Sequence, residues 1–517
     1  MSASQEKKNR ASMREEGIDK RANAAAEKAK KDRKFRRNVI IAAIIVVVVI
    51  AAAFVIDSNL FYTGTTAVRV GDTNYNAAQV NCFYEMAYNT VYNTYYQQYG
   101  QYTSYFLDPS RPLDEQQYTN DQTWAEYLSE ATVANMKQIT ALYDEAVKNG
   151  YVLSEDDKAA IESNISTLST YAANNGYQNL SSFLAANYGG KGVTEKLYRE
   201  VLTRSTIASS YAAQLRDSYT YTDAQLKDYY AAHKDDLDYF YYLSYLVKPG
   251  SDAYADLEGD AKTAAIHDDA QKLADAAAAL GGADSVNARR DSFDELVAAQ
   301  MGEGEASVPY NSQGQDIADL YRTWLLDASR QPGDATVIDA GESGSYVLFF
   351  LERSANDYNL VSMRHVLFSA TADENGEYTE EALESAKAEA QDLYDLWQED
   401  PTEENFAAMA NTYSDDTGSN TNGGLYENIP HHQMVDAIDE FLFDPARQSG
   451  DHALVPGSSG SYSGWHIVYF VGANDKLFCD ELSDTALRDA DYSSALTALE
   501  TPYSVTNGFA YRFTKLA

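Results

Sequence analysis

The chain has 517 residues, room for three or four domains of about 100–200 residues each. Its 40 Lys and Arg against 78 Asp and Glu leave a net charge of −38, and 44% of its residues are apolar. That charge repels phosphate backbones and that apolar share supports buried cores, so nucleic-acid binding and general disorder are excluded.

The charge is uneven along the chain. Residues 1–37 hold 13 basic and 6 acidic side chains, residues 38–56 hold none, and 57–517 hold 27 basic against 72 acidic, a net −45. Val39 to Ile56 is an unbroken apolar run of 18 residues, preceded by Lys28, Lys30, Lys31, Arg33, Lys34, Arg36 and Arg37. As a helix the run rises about 27 Å. It predicts a single transmembrane anchor at 38–56, with a cytoplasmic basic tail at 1–37 and the bulk of the chain outside the cell membrane. A cleaved signal peptide is the alternative, but the run exceeds the usual ~7–15 residues of such a segment. Val68-Arg-Val-Gly-Asp72 reads as a strand and turn. From Ala77 to about Tyr230 the pattern is helical, with breaks at Ser154-Glu-Asp-Asp, Gly189-Gly190 and Thr222-Asp223, and predicts five to seven helices in a domain spanning 57–236. Tyrosine is abundant at 41 residues and suits a wet, amphipathic binding surface.

Asp327-Ala-Ser-Arg-Gln-Pro-Gly-Asp334 recurs 117 residues later as Asp444-Pro-Ala-Arg-Gln-Ser-Gly-Asp451. Tyr242–Val247 aligns with Ser362–Leu367, and Gly344–Phe350 with Gly464–Phe470. This alignment puts Tyr245 in the place of His365 and Tyr346 in that of His466. Two related domains follow, 237–355 and 359–473, each with a strand, an Ala-rich helix, a short helix carrying a phenylalanine (Phe293, Phe406), a further helix, a Gly-Asp turn and a final strand. Residues 474–517 read as a tail with one helix (481–500) and a strand-like end (508–514). The fold class is α+β. Only two cysteines are present, which excludes a disulfide-dense scaffold; Cys82 and Cys479 are either a tie between the helical domain and the tail or two free thiols.

The second repeat carries Arg364-His-Val-Leu367, Phe406-Ala-Ala-Met-Ala410, Tyr413-Ser-Asp-Asp416, Gly423-Gly-Leu425, Met434 and Gly464-Trp-His-Ile467. In this order the motifs resemble the parvulin family of peptidyl-prolyl cis–trans isomerases, over about 115 residues. The architecture ahead of them is similar to membrane-attached foldases of the PrsA and SurA type, in which a helical chaperone domain accompanies parvulin domains built on antiparallel sheets with surrounding helices. The resemblance implies that His365 and His466 face each other on adjacent strands, with Asp416 setting their tautomers. It implies too that Met434 and Ile438, with Leu425 and Phe443, receive the substrate's proline; Ile438 stands where an aromatic is common.

Rotation about a prolyl peptide bond faces a barrier of roughly 20 kcal/mol and breaks no bond to carbon, so it calls for no metal, cofactor or nucleophile. An apolar slot and a tuned hydrogen-bond network that favour the twisted imide suffice. Asp415 and Ser414 read as braces for the neighbouring turn. His431-His432 has no carboxylate or cysteine at ligand spacing and reads as a solvated loop, not a metal site. Without the histidine pair the first repeat is expected to be catalytically silent. The leading expectation is a foldase that isomerises X-Pro bonds in unfolded or secreted polypeptides and holds those clients. The alternative is a non-catalytic holdase using parvulin folds as binding modules. The oligomeric state stays open, a homodimer through the helical part included.

Overall fold

The computed structural model describes residues 3–57, 59–280, 285–373, 376–459 and 462–517. The chain divides into two compact units, one of residues 1–219 with 490–517 and the other of residues 220–489.

In the first unit a helix covers Ala3–Asp57. The anchor expected at 38–56 falls within it and is not supported. Its side chains from 52 to 56 lie outside the described residues. Among the described residues no helix is long and apolar enough to cross a membrane. The single-pass topology, and with it the cytoplasmic tail and the outward placement of the rest, is therefore withdrawn.

Beyond this helix, strands Thr66–Val70 and Thr73–Asn76 form a hairpin. Six helices follow between Ala77 and Ala232, of which Asp223–Ala232 already belongs to the second unit. Their starts obey the capping rules expected of them. Ser154 accepts from the Asp157 amide, and Thr222 and Gln225 form a reciprocal capping box. Gly189, at φ +106, ends one helix where a side chain would meet the backbone of Asn81. The tail completes this unit. Val505–Asn507 pairs antiparallel with Thr66–Val70, giving a three-stranded sheet with Thr66–Val70 in the middle. The strand-like end expected at 508–514 is instead a 3-10 turn, Phe509–Phe513, that buries Ala510. Cys82 and Cys479 are both free and buried, and burial pushes the Cys82 thiol up to about 12.

The second unit holds the two repeats. The first is built from β1 (Tyr239–Val247), α1 (Gly259–Ala278), α2 (Val286–Met301), β2 (Val308–Gln313), α3 (Asp319–Leu325), β3 (Ala335–Asp339) and β4 (Ser345–Ser354). The second repeats that order with β5 (Asn359–Ser369), α4 (Glu380–Trp397), α5 (Glu403–Tyr413), β6 (Leu425–Ile429), α6 (Asp436–Leu442), β7 (His452–Ser459) and β8 (Tyr462–Leu477). Each sheet is antiparallel and four-stranded, in the orders β2-β1-β4-β3 and β6-β5-β8-β7. The recurring Arg-Gln-x-Gly-Asp turn does the same work twice. Arg330 stacks on Trp324 and pairs with Asp334; Arg447 stacks on Phe441 and pairs with Asp451.

Strand alternation gives the second sheet two distinct faces. Val366, Ile467 and Tyr469 pack with Trp397, Phe406 and Met409 under α4 and α5. Val361, Met363, Val468 and Phe470 pack with Ile438, Phe441 and Leu442 of α6. The histidines stand on the α6 face.

Candidate active site

β5 and β8 run side by side with Val468 opposite His365 and His466 opposite Leu367, so the two imidazoles project from the same face one step apart. They lie nearly parallel, with ring centroids 5.3 Å apart, and their Nδ1 atoms are 3.1 Å apart. Both are buried, His466 to 1% exposure. His365 Nε2 lies 2.8 Å from Asp416 Oδ2.

An ionised carboxylate can only accept, so His365 donates from Nε2 to Asp416. The facing Nδ1 atoms of His365 and His466 share one hydrogen bond, and the Tyr462 hydroxyl lies 3.1 Å from His466 Nε2. Asp416 also accepts from the Tyr426 hydroxyl at 3.0 Å, from the Ser419 hydroxyl, and from the Gly418 amide at 3.1 Å. These donors, His365 first, hold its carboxyl well below the usual carboxylate range. Burial, reinforced by the neighbouring His365, lowers His466 to about 3 and keeps it neutral.

A measurable consequence is a pH dependence of stability. Folding weakens the hold of His466 on its proton, so its contribution is complete above the unfolded value of about 6.5 and is lost as pH falls from there toward about 3, by up to about 1.4 kcal/mol per unit. Asp416 acts in a separate window, losing its contribution only as pH falls below about 4. Urea unfolding at pH 7 and pH 5 is expected to show a fall of about 2 kcal/mol in the wild type. The fall should be smaller in His466→Phe, which keeps only the part contributed by His432 and His452, both also lowered by burial; an equal fall in both proteins would refute the assignment.

Backbone contacts hold the row in place. Ser414 Oγ accepts from the Leu367 amide and Asp415 from the Ser369 amide, so these two residues, expected to brace the turn that follows them, brace β5. Arg364, on the opposite face, donates to Glu403 and to the carbonyls of Asn422 and Gly423, which ties down the loop carrying Ser419. Gly457 on β7 leaves room for the His466 ring, since a side-chain carbon there would fall 2.6 Å from the imidazole and 2.9 Å from Val435. A cleft of about 440 Å³ opens here, lined by Val435, Asp436, Gly457, Trp465, Glu380 and Glu384.

Of the residues expected to receive proline, Met434 and Ile438 lie in the apolar cluster under α6, Ile438 being buried. Leu425 does not. It pairs with Arg364 and so faces α5, while the next residue, Tyr426, pairs with Met363 and sets its ring edge against His365. Phe443 packs against the α6 cluster but turns toward the first repeat, stacked on His431 at 3.6 Å. The His431-His432 pair is not a solvated loop. His432 stacks on Tyr241, and both histidines contact Asp439. Among the described residues no group of three or more His, Cys, Asp or Glu side chains could hold a metal ion. Sequence reasoning missed Tyr426, Tyr462 and Ser419. Tyr462 was accessible to it, because a residue four before His466 on one strand shares its face.

The first repeat differs at each equivalent position. Tyr346 lies opposite Leu246, as His466 lies opposite Leu367, so Ser244 and not Tyr245 takes the place of His365. Tyr245 faces the other way and donates to Glu305. Tyr321, 117 residues before Ile438, is buried and sets its ring against that of Tyr346, with centroids 5.4 Å apart.

Residues 346–472 match the family model described as the PPIC-type PPIASE domain. The second repeat is a parvulin-type peptidyl-prolyl isomerase domain. The match begins within β4, ahead of the domain start expected at 359. No curated protein sequence matches the chain. Among solved structures, the chain is similar to peptidylprolyl isomerase (PrsA) from Bacillus anthracis at 19% identity, over 27% of this chain and 54% of that one, with a TM-score of 0.18. Peptidylprolyl isomerase (PrsA) from Bacillus cereus matches at 14% identity, over 59% and 82% of the two chains, with a TM-score of 0.17. A foldase protein (PrsA) from Lactococcus lactis matches at 16%, over 56% and 77%, also at 0.17. The chain thus spans about half the length of the Bacillus anthracis structure.

Proposed function

We propose that the chain catalyses cis–trans isomerisation of X-Pro bonds in unfolded polypeptides and holds those polypeptides through its helical unit. The reading rests on one observation: a buried histidine pair tied to Asp416 on the same sheet face as the apolar cluster of Met434, Val435 and Ile438. At the top of the rotational barrier the imide loses conjugation, its nitrogen becomes pyramidal and its carbonyl regains full double-bond character. A site that takes the proline ring into an apolar slot, excludes water and keeps a hydrogen-bond row beside the imide binds that twisted form better than either planar one. His365, His466 and Asp416 carry the row; Met434 and Ile438 shape the slot.

Holding is supported by the aromatic surface of the helical unit. Residues 86–107 contain no charged side chain, and Tyr88, Tyr92 and Tyr96 stack in a ladder along the helix Ala77–Tyr99. Tyr96, Tyr102 and Tyr105 are exposed, the last to 83%. Rigid tyrosines among Asn, Gln and Thr give large contact area with adaptable hydrogen bonding. A purely non-catalytic holdase would use this surface alone.

The test uses the full chain on a series of X-Pro tetrapeptides, with suppression of aggregation of an unfolded protein measured beside it. A rate well above buffer with at least one X is expected. A rate no faster than buffer across the series, with aggregation still suppressed, would leave the holdase reading in its place.

A further inference from the structure

The first repeat holds the helix that shapes the proline slot of the second. α6 presents Ile438, Phe441 and Leu442 to the apolar cluster, and its opposite side meets α2 of the first repeat. Arg290 of α2 grips Asp436 with both arms of its guanidinium, Nη1 to Oδ1 at 3.0 Å and Nη2 to Oδ2 at 2.6 Å. One turn away Asn287 donates to Glu440 at 3.3 Å, so consecutive turns of α6 are pinned by consecutive turns of α2. Arg290 is itself steadied by Asp291, whose carboxylate takes its Nε and Nη2. Only about a quarter of the Arg290 side chain is exposed.

α6 has little of its own to set its direction. It is seven residues long, and its N-cap, Val435, makes no side-chain capping bond. Asp436 is its first residue and follows Met434 and Val435, which pack on the apolar cluster; Val435 also closes on Gly457 beside His466. The loop entering α6 is fixed from the same side, with Asn311 of β2 donating to the His431 carbonyl and His432 stacked on Tyr241 of β1. A planar, two-armed pair fixes direction as well as distance, which a single point contact does not.

We infer that Arg290 is a positioning residue for the proline slot, and that the first repeat, lacking the histidine pair, is retained as the support that sets α6 against His466. This rests on the isomerase reading for its rate measurements but not for its binding measurement.

The experiment compares wild type, Arg290→Met, Arg290→Lys, Asp436→Asn, the single reversals Arg290→Asp and Asp436→Arg, and the two reversals combined as an exchanged pair, all as the full chain, on one X-Pro tetrapeptide. Arg290→Met is expected to raise KM about five- to tenfold while kcat stays within about twofold, because the histidine row is untouched and the slot is displaced. Arg290→Lys should recover part of the loss, and the exchanged pair should bind better than either single reversal. A wild-type KM in folded Arg290→Met overturns the inference. If that variant does not fold, Asp436→Asn, which keeps the shape of the contact, is expected to raise KM in the same direction, and an unchanged KM there is equally fatal. If the wild type turns over no peptide, the isomerase reading falls. Anisotropy of a fluorescein-labelled copy of the peptide then decides, with equal affinity in wild type and Arg290→Met overturning the positioning role.

Discussion

Replacing His466 by alanine is expected to lower kcat/KM for X-Pro tetrapeptides by about a hundredfold, with far-UV circular dichroism unchanged. His466 is the middle of a row that runs Tyr462, His466, His365, Asp416. Its loss leaves His365 Nδ1 without its hydrogen-bond partner and opens a polar hole beside the slot that water can enter. Hydration of that position stabilises the planar imide, whose carbonyl oxygen carries more charge than in the twisted form, so the barrier rises. Asp416→Asn is expected to act more mildly, by about tenfold, since asparagine can still accept from His365 but cannot hold its tautomer as firmly. A folded His466→Ala with kcat/KM within threefold of the wild type would remove the histidine row from the mechanism.

Gly424→Ala is expected to cost about 3 kcal/mol and to abolish isomerisation. Gly424 adopts φ +69, where an L side chain is strained, and a side-chain carbon on it would fall 2.2 Å from the His365 carbonyl oxygen and 2.9 Å from Ala410. The same residue accepts from the His365 amide at 2.9 Å and donates to the Ser419 carbonyl. Relief of the clash therefore separates the loop from β5, drawing Ser419 away from Asp416 and loosening the strand that carries His365. Hydrogen exchange of the β5 amides would report the loosening directly. Protection equal to wild type, with activity retained, would show that the loop accommodates a methyl group and that its glycine is not needed.

Much of this architecture was legible because it is written in separated, chemically distinct motifs. The 117-residue recurrence located both repeats, and its arginine performs the same stacking in each copy. His365, His466 and Asp416 were found at their sequence positions, and their meeting in space follows from the register of β5 and β8. Features that depend on register alone were lost. A slip of one residue put Tyr245 in the place that Ser244 occupies, and put Leu425 on the side that belongs to Tyr426, because adjacent strand residues face opposite ways. The strands β2 and β6 were missed because their residues are short, polar or glycine-flanked and lack the alternation that marks a strand. The contact between Arg290 and Asp436 joins residues 146 apart, and no local pattern announces it. The membrane anchor, read from an apolar run and the basic cluster before it, is not supported, because no helix among the described residues is long and apolar enough to cross a membrane.

The strand Val505–Asn507 also dictates an order of assembly. It completes a sheet begun at Thr66, yet 434 residues, 71–504, are synthesised in between, among them the whole of the second unit. At about 5–20 residues per second that interval lasts roughly 20–90 s. Throughout it, Thr66–Val70 has one bare edge and the sites for Ala510 and Leu516 stand empty, while the contiguous second unit has everything it needs to fold. The inserted unit is thus built first and the enclosing one last. During that wait the nascent chain carries an open strand edge of its own, the kind of edge that pairs with a neighbouring chain when its proper partner is late.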